Sequence, residues 1–212
     1  MDPERGARVG LLPRDGNVSK MQWFEAPRCF AFHCLNSYDD GANVVVDFIR
    51  HPQMVASATS DIYEGTPILA RWIFDRETGR LSETIVDEHG SEFPRMNETC
   101  QSLAYRFGYT ATIDKVGDLG GTVKHDMQSG SRTIHDYGLG RTASEAVFVQ
   151  REGATDEDDG YVMAYVYDAN RDKSDVVILA AQDFSGPPIA AIELPVRVPF
   201  GFHGNWAPDT GR

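Results

Sequence analysis

The amino-acid sequence predicts an all-β fold, and three observations carry that expectation. Short runs rich in β-branched and aromatic residues recur along the chain. Clusters of Gly, Pro, Asp and Asn with turn chemistry separate them, drawn from 20 Gly and 11 Pro in 212 residues. No long window carries a clean apolar stripe at helical spacing.

The strand runs follow one another in order. They are Val44-Val45-Val46-Asp47-Phe48-Ile49, Ala70-Arg71-Trp72-Ile73-Phe74, Ala146-Val147-Phe148-Val149, Tyr161-Val162-Met163-Ala164-Tyr165-Val166-Tyr167 and Val176-Val177-Ile178-Leu179. A repeated hairpin links some of them. In Phe74-Asp75-Arg76-Glu77-Thr78-Gly79-Arg80-Leu81 a strand ends in Asp, a tight turn closes on Gly, and a new strand begins. His125-Asp126-Met127-Gln128-Ser129-Gly130-Ser131-Arg132 has the same design, and Tyr167-Asp168-Ala169-Asn170-Arg171-Asp172-Lys173-Ser174 is a version without Gly. Asp75, Asp126 and Asp168 stand 51 and 42 residues apart, which matches the blade period of a β-propeller. At roughly 40 to 50 residues per blade the chain holds about four to five. The alternative is a β-sandwich. Each Asp is expected to accept from nearby turn N–H groups, with no part in chemistry.

Composition narrows the function. With 41% hydrophobic residues the chain can build a core. Lys and Arg number 20 against 32 Asp and Glu, a net charge of −12, so nucleic acid is a poor partner. Met1-Asp2-Pro3-Glu4-Arg5-Gly6-Ala7-Arg8 has no apolar run of the secretory kind, and residues 176–181 are far too short to span a bilayer. The three cysteines, Cys29, Cys34 and Cys100, form neither a disulfide framework nor a zinc spacing. The expectation is a cytoplasmic chain with no transmembrane segment.

Six histidines could carry chemistry, and no two have the spacing of a helix-borne metal pair. His125 and His135 flank the second Asp turn and read as surface residues. His51 precedes Pro52 and His89 precedes Gly90, both loop contexts. His33 lies in Cys29-Phe30-Ala31-Phe32-His33-Cys34-Leu35, and His203 in Pro199-Phe200-Gly201-Phe202-His203-Gly204-Asn205-Trp206. An imidazole in such aromatic settings needs a partner for each nitrogen. A backbone-bonded structural histidine is one reading of each, and a metal ligand the other.

Longer motifs add a resemblance. Trp23-Phe24-Glu25-Ala26-Pro27, followed by Phe30-Ala31-Phe32-His33-Cys34-Leu35-Asn36-Ser37-Tyr38-Asp39-Asp40-Gly41, resembles the carotenoid cleavage oxygenase family. Glu92-Phe93-Pro94-Arg95-Met96-Asn97 follows in the same order. So do Ser144-Glu145-Ala146-Val147-Phe148-Val149 with Glu157-Asp158-Asp159-Gly160-Tyr161-Val162, and Leu194-Pro195 with Val198-Pro199-Phe200-Gly201-Phe202-His203-Gly204. The resemblance implies a seven-bladed propeller that holds a non-haem Fe(II) through four histidines. It puts two of the metal ligands at His33 and His203, with Glu92 and Glu145 orienting imidazoles from behind. Two departures are mild: Asn36-Ser37-Tyr38-Asp39 replaces the usual Asn-Ala-Tyr-Glu, and Ala146 stands where proline is usual.

The first two iron histidines of the family lie upstream of everything matched, so residues 1–212 read as the C-terminal part of such a propeller domain. The implied function is cleavage of a carbon–carbon double bond by Fe(II) and O2. The substrate would be a carotenoid, an apocarotenoid or a stilbene-like compound. A missing N-terminal half is an expected partner, and peripheral membrane contact is expected of the full-length protein. The other readings are a catalytically inactive propeller fragment, an interaction module, or a remnant without a stable fold.

Overall fold

The computed structural model describes residues 6–54, 63–115, 118–199 and 201–209. Residues 1–5 of the amino-terminal stretch and Phe200 of the last motif lie outside them. Strand β1 (Ala7–Leu11) pairs with β2 (Gln22–Ala26). Strands β3 (Cys34–Asp40) and β4 (Asn43–Arg50) open a sheet. A ribbon of β5 (Gln53–Met54) and β6 (Tyr63–Glu64) interrupts it. Then β7 (Ile68–Asp75) and β8 (Arg80–Asp87) complete the order β3-β4-β7-β8. The next sheet is a meander of β9 (Ser91–Met96), β10 (Phe107–Lys115), β11 (Asp118–Asp126) and β12 (Arg132–His135). In the last, β13 (Arg141–Ala143) and β14 (Val147–Gln150) share one partner, β15 (Gly160–Asp168). Strands β16 (Lys173–Ala180) and β17 (Ala190–Glu193) follow on its other side.

The fold is all-β, as expected, and the sheets are successive blades of a partial propeller. The described residues form three larger sheets, the β1–β2 pair and the β5–β6 ribbon. The three larger sheets span residues 34–87, 91–135 and 141–193, close to the blade period read from the sequence.

Blades pack face to face, so middle strands are covered on both sides and read as near-continuous apolar runs. Strand β4 keeps Val45, Asp47, Phe48 and Ile49 buried, whereas the outer β8 is largely polar and open. One cluster, with Phe24, Phe48, Trp72 and Phe74, joins the β1–β2 pair to the first sheet. A second, with Leu35, Ile49, Leu69, Met96 and Tyr105, joins the first sheet to the next. The third, with Tyr109, Phe148, Val162, Val177 and Phe184, binds the second sheet to the last.

The repeated turns behave as their chemistry predicts. Asp75 Oδ1 accepts from the N–H groups of Glu77 and Thr78 at 2.9 and 3.0 Å, and Asp126 Oδ1 from Gln128 and Ser129 at 3.0 and 3.2 Å. Asp168 Oδ1 accepts from Asn170 N–H at 2.9 Å. Gly79 and Gly130 close the first two turns with φ of 70° and 72°, and Asp172 takes the same left-handed position at 49°. Asp is among the few non-glycine residues that enter this region at modest cost, which is why the third turn needs no Gly.

Two histidine readings are corrected. His125 and His135 are buried, not on the surface. His125 continues the inward face of β11 two residues beyond Val123, and Thr110 Oγ1 lies 2.8 Å from its Nε2. His135 ends β12 with Nδ1 at 3.1 Å from the carbonyl of Phe184. Among the described residues no helix is long and apolar enough to cross a membrane.

Candidate metal centre

The inner edges of the three sheets meet. Strand β9 packs against both β3 and β14, so these three edge strands adjoin. Each inner edge is broken by an extra residue beside a residue of interest. On β3 the pairing steps from Cys34–Phe48 to Asn36–Asp47, just after His33. On β9 it steps from Arg95–Tyr109 to Glu92–Ala111, across Phe93 and Pro94. Between β13 and β14, residues 144–146 lie opposite only residues 164–165 of β15, with Glu145 in the middle. Such bulges bend a strand and re-aim its side chains, and they recur beside active sites. Pro94 inside a strand is the visible sequence sign of one of them.

The bulge on β9 aims Glu92 inward. Its carboxylate is almost wholly buried, and Oε2 accepts from His33 Nδ1–H and from the N–H of Phe93, both at 2.6 Å. Oε1 accepts from His51 Nε2–H at 2.7 Å. To turn its N–H back onto that carboxylate Phe93 adopts a φ of 53°, an uncommon conformation for a bulky residue. Burial pushes the Glu92 carboxyl up, but the bonds from His33, His51 and Phe93 together outweigh it and hold it at about 2. The same bond raises the His33 imidazole above its ordinary value, against the opposing effect of burial.

Glu145 plays the matching part on the neighbouring edge. Its side chain is 5% exposed, Oε1 lies 3.1 Å from His203 Nδ1, and Oε2 accepts from Gly204 N–H at 2.9 Å. Arg95, from β9, reaches the same carboxylate at 3.3 Å and donates to the carbonyl of Gly204 at 3.0 Å. It also donates to Glu98 at 2.8 Å and to Asn205 Oδ1 at 3.2 Å, which fastens the tail around His203 to the second sheet.

Four residues singled out in the sequence therefore come together: His33, Glu92, Glu145 and His203. The rings of His33 and His203 stand 5.0 Å apart between centroids, at 82°. Both use Nδ1 for a glutamate, which leaves Nε2 of each as the nitrogen for a ligand. Two imidazoles sharing one ion at metal–nitrogen bonds of about 2.1 Å have centroids about 4.5 to 5.5 Å apart, so the pair fits a first-row divalent metal. Neither ring is fully buried, despite the aromatic residues that flank each in the sequence. The side chain of His33 is 22% exposed and that of His203 55%. Among the described residues no third His, Cys, Asp or Glu joins them in a group able to hold a metal ion.

His51 is a third histidine whose expected setting is corrected. It is 1% exposed, not in an open loop, and it shares Glu92 with His33. Its signal was present: Val45, Asp47, Ile49 and His51 alternate on the buried face of β4, and the following Pro52 masks the continuation. His89 is open as expected, its side chain 70% exposed, with Nδ1 at 2.7 Å from Asp87.

A cavity of about 500 Å³ adjoins His203, with Phe93, Glu145, Met163, Phe202 and Trp206 also among its walls. Its lining is mostly apolar, which suits a hydrophobic ligand.

The chain matches the family described as retinal pigment epithelial membrane protein over residues 1–208. It is 36% identical to a carotenoid cleavage oxygenase of Mycobacterium tuberculosis, across 99% of this chain and 44% of that protein. It is 35% identical to carotenoid 9,10(9',10')-cleavage dioxygenase 1 of Arabidopsis thaliana, across 95% of this chain and 41% of that one. The crystal structure of cobalt-substituted Synechocystis ACO superimposes with a TM-score of 0.90 at 26% identity, over 98% of this chain and 45% of that one. The chain thus spans a little under half the length of these relatives.

Proposed function

Because the chain belongs to the retinal pigment epithelial membrane protein family, we propose that residues 1–212 form the C-terminal part of a propeller oxygenase. The named relatives support cleavage of a carotenoid, and an apocarotenoid or a stilbene-like substrate has the same conjugated chemistry. His33 and His203 hold a non-haem Fe(II) through Nε2, and the remaining ligands come from the half of the relatives that this chain does not cover. Bound Fe(II) supplies the dioxygen chemistry, in which O2 is consumed, one carbon–carbon double bond is broken, and each carbon leaves as a carbonyl. Glu92 and Glu145 fix the tautomer and orientation of their imidazoles by accepting from Nδ1–H. Phe93, Phe202 and Trp206 offer aromatic faces to a conjugated chain on the open side of the rings.

The observation that carries this reading is the 5.0 Å approach of two imidazoles, each backed by a buried glutamate. The exposure of His203 favours a corollary: alone, this chain is catalytically inactive, since two imidazoles leave most of an ion's coordination sphere to water. Titration of the chain with Co(II), followed through imidazole NMR signals, tests both. The signals of His33 and His203 are expected to broaden together while those of the exposed His89 stay sharp. Indifference of the first two rings to the metal would sink the proposal. Clear O2 uptake with a carotenoid by the Fe(II)-loaded isolated chain would overturn the corollary.

A further inference from the structure

The Glu92 carboxylate has two imidazole partners, and only one of them, His33, stands against His203. We infer that His51 is a positioning residue of the centre, fixing the ring of His33 through Glu92. This rests on the proposal that His33 is a metal ligand, and it adds a residue that the proposal does not use.

The geometry begins in the backbone. Phe30 and His51 form an antiparallel bridge, with Phe30 N–H donating to His51 O at 2.9 Å and His51 N–H to Phe30 O at 2.8 Å. Ile49 N–H donates to the carbonyl of His33 at 3.0 Å. The segment bearing His33 is thus laid along the end of β4, and His51 lies directly behind it. The His51 ring packs edge-on against Phe32, at 5.2 Å and 84°, and against Phe30, at 6.5 Å and 69°. Its orientation is therefore set by packing before it meets Glu92.

The carboxylate, by contrast, is soft at its end. The last torsion of a glutamate has a broad, roughly two-fold preference, so rotamer sterics do not hold the plane of the two oxygens. Bonds on both oxygens do. His33 and Phe93 N–H hold Oε2, and His51 is the imidazole that holds Oε1. Without an N–H at that place, a buried, ionised oxygen loses its donor, which is costly enough to turn or protonate the group. Either response loosens the acceptor that keeps the His33 proton on Nδ1 and its Nε2 open.

The test compares His51→Gln, His51→Asn and His51→Phe in the full chain. The Gln amide nitrogen can occupy the place of Nε2, Asn is too short to reach it, and Phe keeps the ring without a donor. The first readout is the ring-nitrogen NMR signature of His33 in metal-free protein, about two pH units above the ordinary imidazole value. Wild type and His51→Gln are expected to show one Nδ1–H tautomer, and His51→Asn and His51→Phe a mixture. The second readout is Co(II) affinity by competition with a chelator. It is expected to fall about 10- to 100-fold in Asn and Phe and to stay within about threefold in Gln. If His51→Phe fails to fold, the Asn–Gln pair decides, since the two differ mainly in reach. An unchanged His33 signature in His51→Asn overturns the inference while leaving the metal reading intact. A shifted signature in protein that binds no Co(II) overturns the metal reading and leaves the positioning role standing.

Discussion

His33 and His203 lie near opposite ends of the described chain, yet their rings approach to 5.0 Å and cross at 82°. Neither is held by its own sheet alone. His33 is backed by Glu92 from the second sheet, and His203 by Glu145 from the inner edge of the third. Glu92 thus carries the geometry from the second sheet to His33, and Glu145 carries it from the third sheet to the tail that bears His203.

The Glu145 side has a built-in second cation. Glu145→Gln removes the charge that Arg95 faces at 3.3 Å and weakens the hold on Gly204 N–H. Iron or cobalt retention in the metal-loaded protein is expected to fall about 10- to 100-fold, as for other carboxylates behind ligand histidines. Chelator competition measures it, and equal retention by Glu145→Gln and wild type would remove the orienting role.

Phe93 offers a test of backbone strain. At φ of 53°, glycine should suit the position better than any residue with a Cβ. Phe93→Gly is expected to be more stable than Phe93→Ala by about 1 kcal/mol, the reverse of the usual order within strands. Urea unfolding of the two variants measures the difference. Ala at or above Gly would mean that the left-handed turn at Glu92 is not strained.

Acid stability should depend on His125. Burial pushes its pKa down to about 4, the nearby Arg132 acting in the same direction and the Asp87 carboxylate against it. The unfolded chain therefore takes up this proton first, near the ordinary value of about 6.5. Between there and about pH 4 the unfolded state binds more protons, so stability falls as pH falls across that window and levels off below it. The raised His33 contributes with the opposite sign, so the comparison must be with a variant. From pH 7 to 4, wild type should lose on the order of 2 to 3 kcal/mol more than His125→Gln. Parallel stability curves for the two proteins would contradict it.

Local chemistry determined a good deal by itself. The strand runs, the Asp-opened turns at 75, 126 and 168, and the all-β propeller period are all visible in residue order, because turn bonds and strand alternation involve near neighbours. The motifs around His33, Glu92, Glu145 and His203 pointed to a site before any contact was known. What the order of residues did not decide was which carboxylate serves which ring, or that His51 shares Glu92 with His33. It also misjudged His125 and His135, which read as turn residues but continue buried faces. Those outcomes depend on single-residue bulges in β3, in β9 and between β13 and β14, and on contacts between segments far apart in the chain. One extra residue turns a side chain to the other face of a strand, and only the packing of sheet against sheet fixes where that residue is inserted.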